Sequence, residues 1–156
     1  MATSAVPGAI TELLVILRGL PAFQDGVLVL DGPPTVDVSR ADIVAVGWSP
    51  DGDQAVEMVQ DFNAAGARTR NESFAISCVI DVWTGGQDFV PARDRVFELF
   101  AAIEDAVRAS GLNPTAPTLN GAVLWAHLTK GVLRQTYTDQ GPRVALAFTV
   151  SCEARI

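Results

Sequence analysis

Apolar and polar residues alternate without a break over the last fourteen positions of the chain, residues 143–156. One face carries Val144, Leu146, Phe148, Val150, Cys152, Ala154 and Ile156. Such alternation predicts one long β-strand with one buried face. At about 3.4 Å per residue the strand would reach about 46 Å if it were straight, whereas a compact domain of this length is about 40 Å across. We therefore expect the strand to bend, to twist strongly or to project toward another copy of the chain.

Two more long strands are predicted upstream. Residues 72–83 alternate cleanly, with Phe74, Ile76, Cys78, Ile80 and Val82 on one face. Residues 122–138 form the other strand, and its apolar positions shift by one at Gly131, where we expect a break or a β-bulge. A turn at 139–142 joins this strand to the terminal one. The two together predict a long C-terminal β-hairpin.

Shorter segments complete the predicted sheet. Residues 27–30 and 42–48 indicate strands, each followed by turn-forming residues. Residues 54–62 fit both a strand and a helix, because their apolar positions suit either period, and we favour a strand. The stretches 63–70 and 112–120 are predicted to be loops.

Helical spacing of apolar residues predicts two helices, at 7–18 and 91–110, with Gly111 as the C-terminal cap of the second. A chain of 156 residues is long enough for one domain with a real core. The predicted fold class is α+β: a single domain, 1–156, with a largely antiparallel or mixed β-sheet, two main helices packed on one face and the long C-terminal β-hairpin.

The chain is acidic, with a formal net charge of −7 and Lys130 as its only lysine. Affinity for a phosphate backbone rests mainly on Lys and Arg, so we expect no surface that grips nucleic acid. We expect the acidity mainly to keep the protein soluble and to suppress self-association. A lumen or surface that lets DNA slide past without sticking would use the same physics. The N-terminal segment has no basic region before its apolar stretch, which is too short to span a membrane. We expect a protein that is made and used in a cytoplasm and has no membrane partner.

The residue inventory argues against most catalytic and metal sites. His127 is the only histidine and lies within a predicted strand, where a structural role is expected. Cys78 and Cys152 are expected to be buried free thiols, and with one histidine they do not supply zinc-ligand spacing. Glu104 and Asp105 are adjacent on a helix and point in different directions, so they are expected to be a solvated pair.

Motifs for bound cofactors are also missing. The run that begins at Asp51 has Phe62 where a calcium loop needs its final glutamate, so it is interpreted as a turn. The sequence contains no glycine-rich phosphate-binding motif. We predict neither an enzyme nor a cofactor.

Interface candidates come from aromatic and charged residues near strand ends. Trp48, Trp83 and Trp125 combine apolar area with a polar group, as interface residues often do. Core-rim positions are an equally common use of tryptophan. Four arginines, Arg93, Arg95, Arg143 and Arg155, could pair between subunits with Glu72, Asp81 or Glu153, although ordinary surface ion pairs contribute little. From these we select Trp48, Trp83, Trp125, Arg143, Glu153 and Arg155 as candidate subunit-interface residues.

Five segments, in this order and spacing, resemble tail terminator proteins of long-tailed bacteriophages, particularly those of actinobacterial phages. They are residues 29–34 (VLDGPP), the strand 43–48 that ends in Val46-Gly47-Trp48, residues 72–78 (ESFAISC), the helix residues 92–100 (ARDRVFELF) and residues 148–156 (FTVSCEARI). Each segment is a packing pattern rather than a reactive motif. The segments are spread from residue 29 to residue 156, while residues 53–70 are hard to match.

The resemblance implies a structural virion protein, localised to the tail or neck and assembled in the host bacterial cytoplasm. It implies a hexameric ring at the head-proximal end of the tail tube, which stops polymerisation of the tail tube protein and presents a joining surface to the head-tail connector or stopper. DNA would pass through the lumen without specific binding. The loops 51–70 and 112–120 would reach toward neighbouring rings. Alternatives are a connector or tail-tube subunit, a small enzyme with an unrecognised carboxylate site, and a monomeric binding module.

Overall fold

One mixed β-sheet with two helices on one of its faces accounts for the described part of the chain. The computed structural model describes residues 2–52, 54–63, 65–66, 68–109 and 114–156. Along the chain the elements are α1 (Val6–Gly19), a short 3-10 helix (Pro21–Phe23), β1 (Val27–Asp31), β2 (Asp42–Val46), β3 (Val56–Phe62), β4 (Arg70–Trp83), α2 (Val90–Val107), β5 (Trp125–Thr138) and β6 (Gly141–Arg155). This confirms the predicted α+β class.

The strands are ordered β1-β2-β4-β6-β5, and β3 also pairs with β4. Strands β1 and β2 are parallel, and every other pairing is antiparallel. Since β6 pairs along nearly all of β4, the strands β2 and β3 share the opposite side of β4, one after the other. The outermost strands are therefore β5 on one side and β1 and β3 on the other.

The terminal strand alternates as its sequence predicts, with buried residues on the helix side and half-buried residues on the other. It does not project alone, because β4 and β5 are nearly as long and pair with it on both sides. The length of the terminal strand is thus matched by β4 and β5, and the three long strands run side by side. They form the centre and one edge of the sheet.

The core lies between the sheet and the two helices. Helix α1 buries Leu13 and Leu17, and α2 buries Val96, Leu99 and Ile103. In addition, Phe100 of α2 meets Phe148 of β6 edge to face, with ring centroids 5.4 Å apart. Aromatic pairs in this geometry stabilise a core beyond the area they bury. Both helices therefore pack on the same face of the sheet.

Some predicted boundaries differ from the structure. Helix α2 ends at Val107, before the predicted end at residue 110, because the chain becomes extended at Arg108. The expected cap, Gly111, lies outside the described residues. The ambiguous segment 54–62 does contain a strand, β3. The next strand, β4, begins at Arg70, two residues earlier than predicted. Residues 56–62 and Arg70 of the supposed loop 51–70 are therefore sheet, whereas the described residues of 63–69 are not.

The irregularity predicted in β5 is present, but it does not lie at the predicted position, Gly131. The register shifts between Leu128 and Lys130, whereas Gly131 pairs regularly with Phe148. The extra residue is Thr129, whose hydroxyl lies 2.8 Å from the Ser151 hydroxyl on β6. A β-bulge adds one residue to a strand and turns the following side chains. It explains why the apolar pattern shifts near this point.

Candidate subunit interface

Within the described residues, the side chains that could take part in catalysis or metal binding do not cluster at one site. No group of three or more His, Cys, Asp or Glu side chains there could hold a metal ion. The imidazole of His127 lies beside the Trp125 ring, with centroids 4.7 Å apart. Cys78 and Cys152 are free and buried, and burial raises the pKa of each thiol to about 12. Both thiols are therefore protonated and poor nucleophiles at neutral pH.

None of the helices in the described ranges has the length and apolar character needed to cross a bilayer.

The more distinctive feature is the pair of open edges on opposite sides of the sheet. Strand β5 pairs only with β6, and β3 pairs only with β4, within the part of the chain that is described. An outermost strand presents unpaired backbone N–H and C=O groups that can accept a further strand. Long edges of this kind are where another chain can add to a sheet.

Strand β5 has two contrasting faces along its open edge. On the helix side, Leu128 and Leu133 line a groove of about 350 Å³ together with Phe97 and Phe100 of α2. Gln135, which accepts a hydrogen bond from Arg93, and the exposed Tyr137 follow on the same side. On the other side of the sheet the strand carries basic and small apolar groups. These are Lys130, Val132 and Arg134, which lie opposite Thr149, Ala147 and Ala145 of β6.

Strand β3 also has two contrasting faces. Glu57, Val59 and Asp61 lie on the face away from the helices, and Met58, Gln60 and Phe62 lie on the helix side. Three apolar side chains are exposed: Met58 at 48%, Val59 at 59% and Phe62 at 75%. The Gln60 amide donates to the Thr3 carbonyl at 2.8 Å, so the N-terminal segment lies along the helix side of β3.

The three tryptophans are not brought together. The Trp83 indole Nε1 donates to the Gln140 carbonyl at 2.7 Å, and the half-buried ring supports the turn between β5 and β6. Trp48 is half-buried and lines a pocket with Ile43 on the face away from the helices. Trp125 lies at the start of the open edge strand and is more exposed than the other two.

The charged candidates have partners within the chain. Arg143 Nε lies 2.8 Å from Asp81 Oδ1, and the guanidinium also donates to the Val38, Ser39 and Ala41 carbonyls. Burial raises the pKa of Asp81, while the Arg143 charge acts in the opposite direction. Arg143 thereby holds the segment before β2 against the sheet.

At the other end of β6, Glu153 and Arg155 contact β4. The Ser73 hydroxyl donates to Glu153 at 2.5 Å, and Arg155 Nε lies 3.5 Å from Asn71 Oδ1. Glu72, by contrast, is fully buried and accepts hydrogen bonds from the Ala5 backbone N–H and the Gln60 amide. It has no surface that a neighbouring subunit could reach, so its suggested intersubunit ion pair is wrong.

The sequence alone does not reveal the open edges. Alternation in 54–62 does place Glu57 and Asp61 on one face, and the bulged strand places Lys130 and Arg134 on one face. Which strands are outermost depends on pairings between distant segments. The pattern of a single strand does not contain that information.

Comparison with known proteins gives a likeness of fold. No protein-family model matches the chain, and no curated protein matches it. Among solved structures, the fold is similar to that of a chain in the virion of a native gene transfer agent (GTA) particle. The TM-score is 0.58 at 12% sequence identity, and the match covers 98% of this chain and 100% of that chain.

Proposed function

We propose that this chain is a structural virion protein that acts as a tail terminator. Six copies would form a ring at the head-proximal end of a phage tail tube, end the polymerisation of the tail tube protein and join the tail to the head-tail connector. The ring would be assembled in the host bacterial cytoplasm. No catalytic step is part of this role.

The observation that carries the proposal is the end-to-end likeness to a chain of the gene transfer agent virion, which covers essentially all of both chains. A match over whole chains supports a common subunit type better than a match of one shared motif. The sequence resemblance to tail terminators adds the finer assignment. Fold likeness alone does not specify function, and the terminator role is taken from the sequence resemblance.

The two open edges suit a ring. A closed ring built from head-to-tail contacts needs two different surfaces on each subunit. Strands β5 and β3 provide two different edges on opposite sides of one sheet. The net charge of −7 suits a lumen through which DNA moves without being held.

Size-exclusion chromatography with mass measurement tests the ring. The proposal predicts a species of six times the 16.5 kDa chain mass, either alone or after addition of tail tubes. A tail-tube subunit, the nearest alternative, would instead grow into open-ended polymers. A chain that stays monomeric at high concentration and also with tubes would contradict the proposal.

A further inference from the structure

The open edges of β3 and β5 carry complementary side chains in the same order. On the face away from the helices, β3 has acid, valine, acid at Glu57, Val59 and Asp61, and β5 has base, valine, base at positions 130, 132 and 134. Opposite charges on facing residues of paired strands are favourable, and like charges are unfavourable. Each edge would repel a copy of itself and attract the other edge.

The direction of the strands fits such a contact. Pairing is antiparallel from β3 to β4, from β4 to β6 and from β6 to β5. The two open strands therefore run in opposite directions within one subunit. A rotation about an axis along the strands preserves these directions and keeps each face on its own side. Neighbouring subunits of a ring would thus bring β5 against β3 as an antiparallel pair with matching faces.

We propose that β5 of one subunit pairs with β3 of the next, with Val132 opposite Val59, and that this pairing is the contact that closes the ring. The inference rests on the ring of the proposed function and names its contact. In this register Lys130 faces Asp61 and Arg134 faces Glu57. On the helix side Leu133 faces Met58, so exposed apolar groups are buried together.

The register follows from the side chains. A slip of two residues in either direction places Val132 opposite Glu57 or Asp61, which breaks both ion pairs. A slip of one residue would place the charged face of one strand beside the apolar face of the other. Only the register centred on Val132 and Val59 forms both ion pairs and the Leu133–Met58 contact.

The charged groups are available for this contact. Lys130 and Asp61 have no ion-pair partner among the described residues. Arg134 Nη1 lies 2.7 Å from Asp51 Oδ1, but the Arg134 side chain is 59% exposed. A guanidinium has five N–H donors and can bind two carboxylates. The ion pair with Asp51 therefore orients Arg134 and leaves other N–H donors of the guanidinium available for a second carboxylate.

Charges on edge strands can also serve to prevent pairing, and charge reversal separates the two roles. The first variant reverses the charges on β5 with Lys130→Glu and Arg134→Glu. The second variant reverses those on β3 with Glu57→Lys and Asp61→Lys. The third variant combines all four changes. The matched control carries Arg95→Glu, on α2, with Arg108→Glu, at the C-cap of α2. Assembly is measured by light scattering across a concentration series, with and without tail tubes.

We expect the first two variants to assemble at least 10-fold more weakly than the unmodified chain and the third to recover assembly. The control should assemble normally. Arg134→Glu also breaks the ion pair with Asp51. A second set of variants therefore repeats the charge swap with that pair intact: Lys130→Glu, Asp61→Lys and the two changes together. Circular dichroism verifies that each variant folds.

An independent measurement uses cysteines at the centre of the proposed contact. Under oxidation, Val59→Cys with Val132→Cys should give covalent oligomers up to the ring, while each single change should not give chains longer than a dimer. Assembly that is insensitive to reversal, or no assembly by the unmodified chain under any condition, overturns the contact. Rings that depend on these charges but do not bind tube ends would leave the contact standing and remove the terminator function.

Discussion

The Glu72 carboxylate accepts a hydrogen bond from the Ala5 backbone N–H at 2.7 Å. Ala5 is the N-cap residue of α1, so a fully buried side chain from the middle of the sheet closes the start of the helix. A negative charge at a helix N-terminus satisfies a donor that has no partner within the helix and interacts favourably with the helix dipole. Helix α1 is thereby tied to β4.

Replacing Glu72 should destabilise the fold. In Glu72→Ala the Ala5 N–H and the Gln60 amide lose a buried charged acceptor, and we expect the free energy of unfolding to fall by about 2 to 4 kcal/mol. Glu72→Gln keeps one acceptor oxygen and should lose less. Denaturant unfolding measures both changes. Glu98→Ala, at an exposed position on α2, is the control and should change stability by less than about 0.5 kcal/mol. Equal stability of Glu72→Ala and this control would contradict the assigned role.

Arg143 should limit the pKa of Asp81. Burial raises this pKa above its ordinary value of 3.8, and Arg143 opposes the rise. A raised carboxyl pKa means that protonation favours the folded state. The stability from this group is therefore present at low pH and is lost as pH rises from 3.8 through the folded-state pKa. Arg143→Gln should raise this pKa further and extend the loss to higher pH.

Unfolding free energies measured across acidic and neutral pH test this expectation. Arg143→Gln should cost about 2 to 3 kcal/mol at neutral pH, because it leaves a mostly buried carboxylate without its partner. Asp81→Asn should flatten the acidic part of the profile, since the titrating group is gone. If Arg143→Gln and the unmodified chain had the same pH profile, the two groups would not be coupled.

The two thiols should be inert in the folded protein. Burial raises the pKa of Cys78 and Cys152 to about 12, and the reactive species is the thiolate. A thiol-specific reagent at neutral pH should label neither cysteine in the native state and both in denaturant. Rapid labelling of the native protein would show that these strands open readily.

Gly141 should be needed for the turn between β5 and β6. Its φ is +113°, and an added Cβ would lie 2.7 Å from the Thr84 carbonyl oxygen. Backbone strain and overlap both oppose a side chain there. Gly141→Ala should lower the free energy of unfolding by about 2 kcal/mol or more. Gly86→Ala, where the nearest atom is 3.7 Å away, should have a much smaller effect in the same thermal or denaturant melt.

The sequence predicted local structure better than pairing. Alternation from Val144 to Ala154 translated directly into burial, because the period of a strand is a local property. The sequence pattern predicts the bulge at Gly131, whereas it lies at Thr129, because its position is set by the pairing of β5 with β6 and by the contact between the Thr129 and Ser151 hydroxyls. Glu72 continues the apolar face of β4 in the sequence. A carboxylate at such a position was the available signal of a buried, hydrogen-bonded charge.

For the candidate interface, too, the sequence indicated local features but not contacts between distant segments. The sequence indicated suitable residue types, but Trp83 and Arg143 have contacts inside the chain that their own segments do not reveal. Conversely, the edges of β3 and β5 became visible only once the order of the strands was known. The assignment of all six candidate residues to a subunit interface stays a prediction.

Negative-stain imaging of the purified protein mixed with tail tubes tests the terminator function itself. We expect one ring on one end of each tube, with tube growth stopped at that end. Bare tubes whose length does not respond to the protein, or incorporation of the protein along the whole tube, would contradict it.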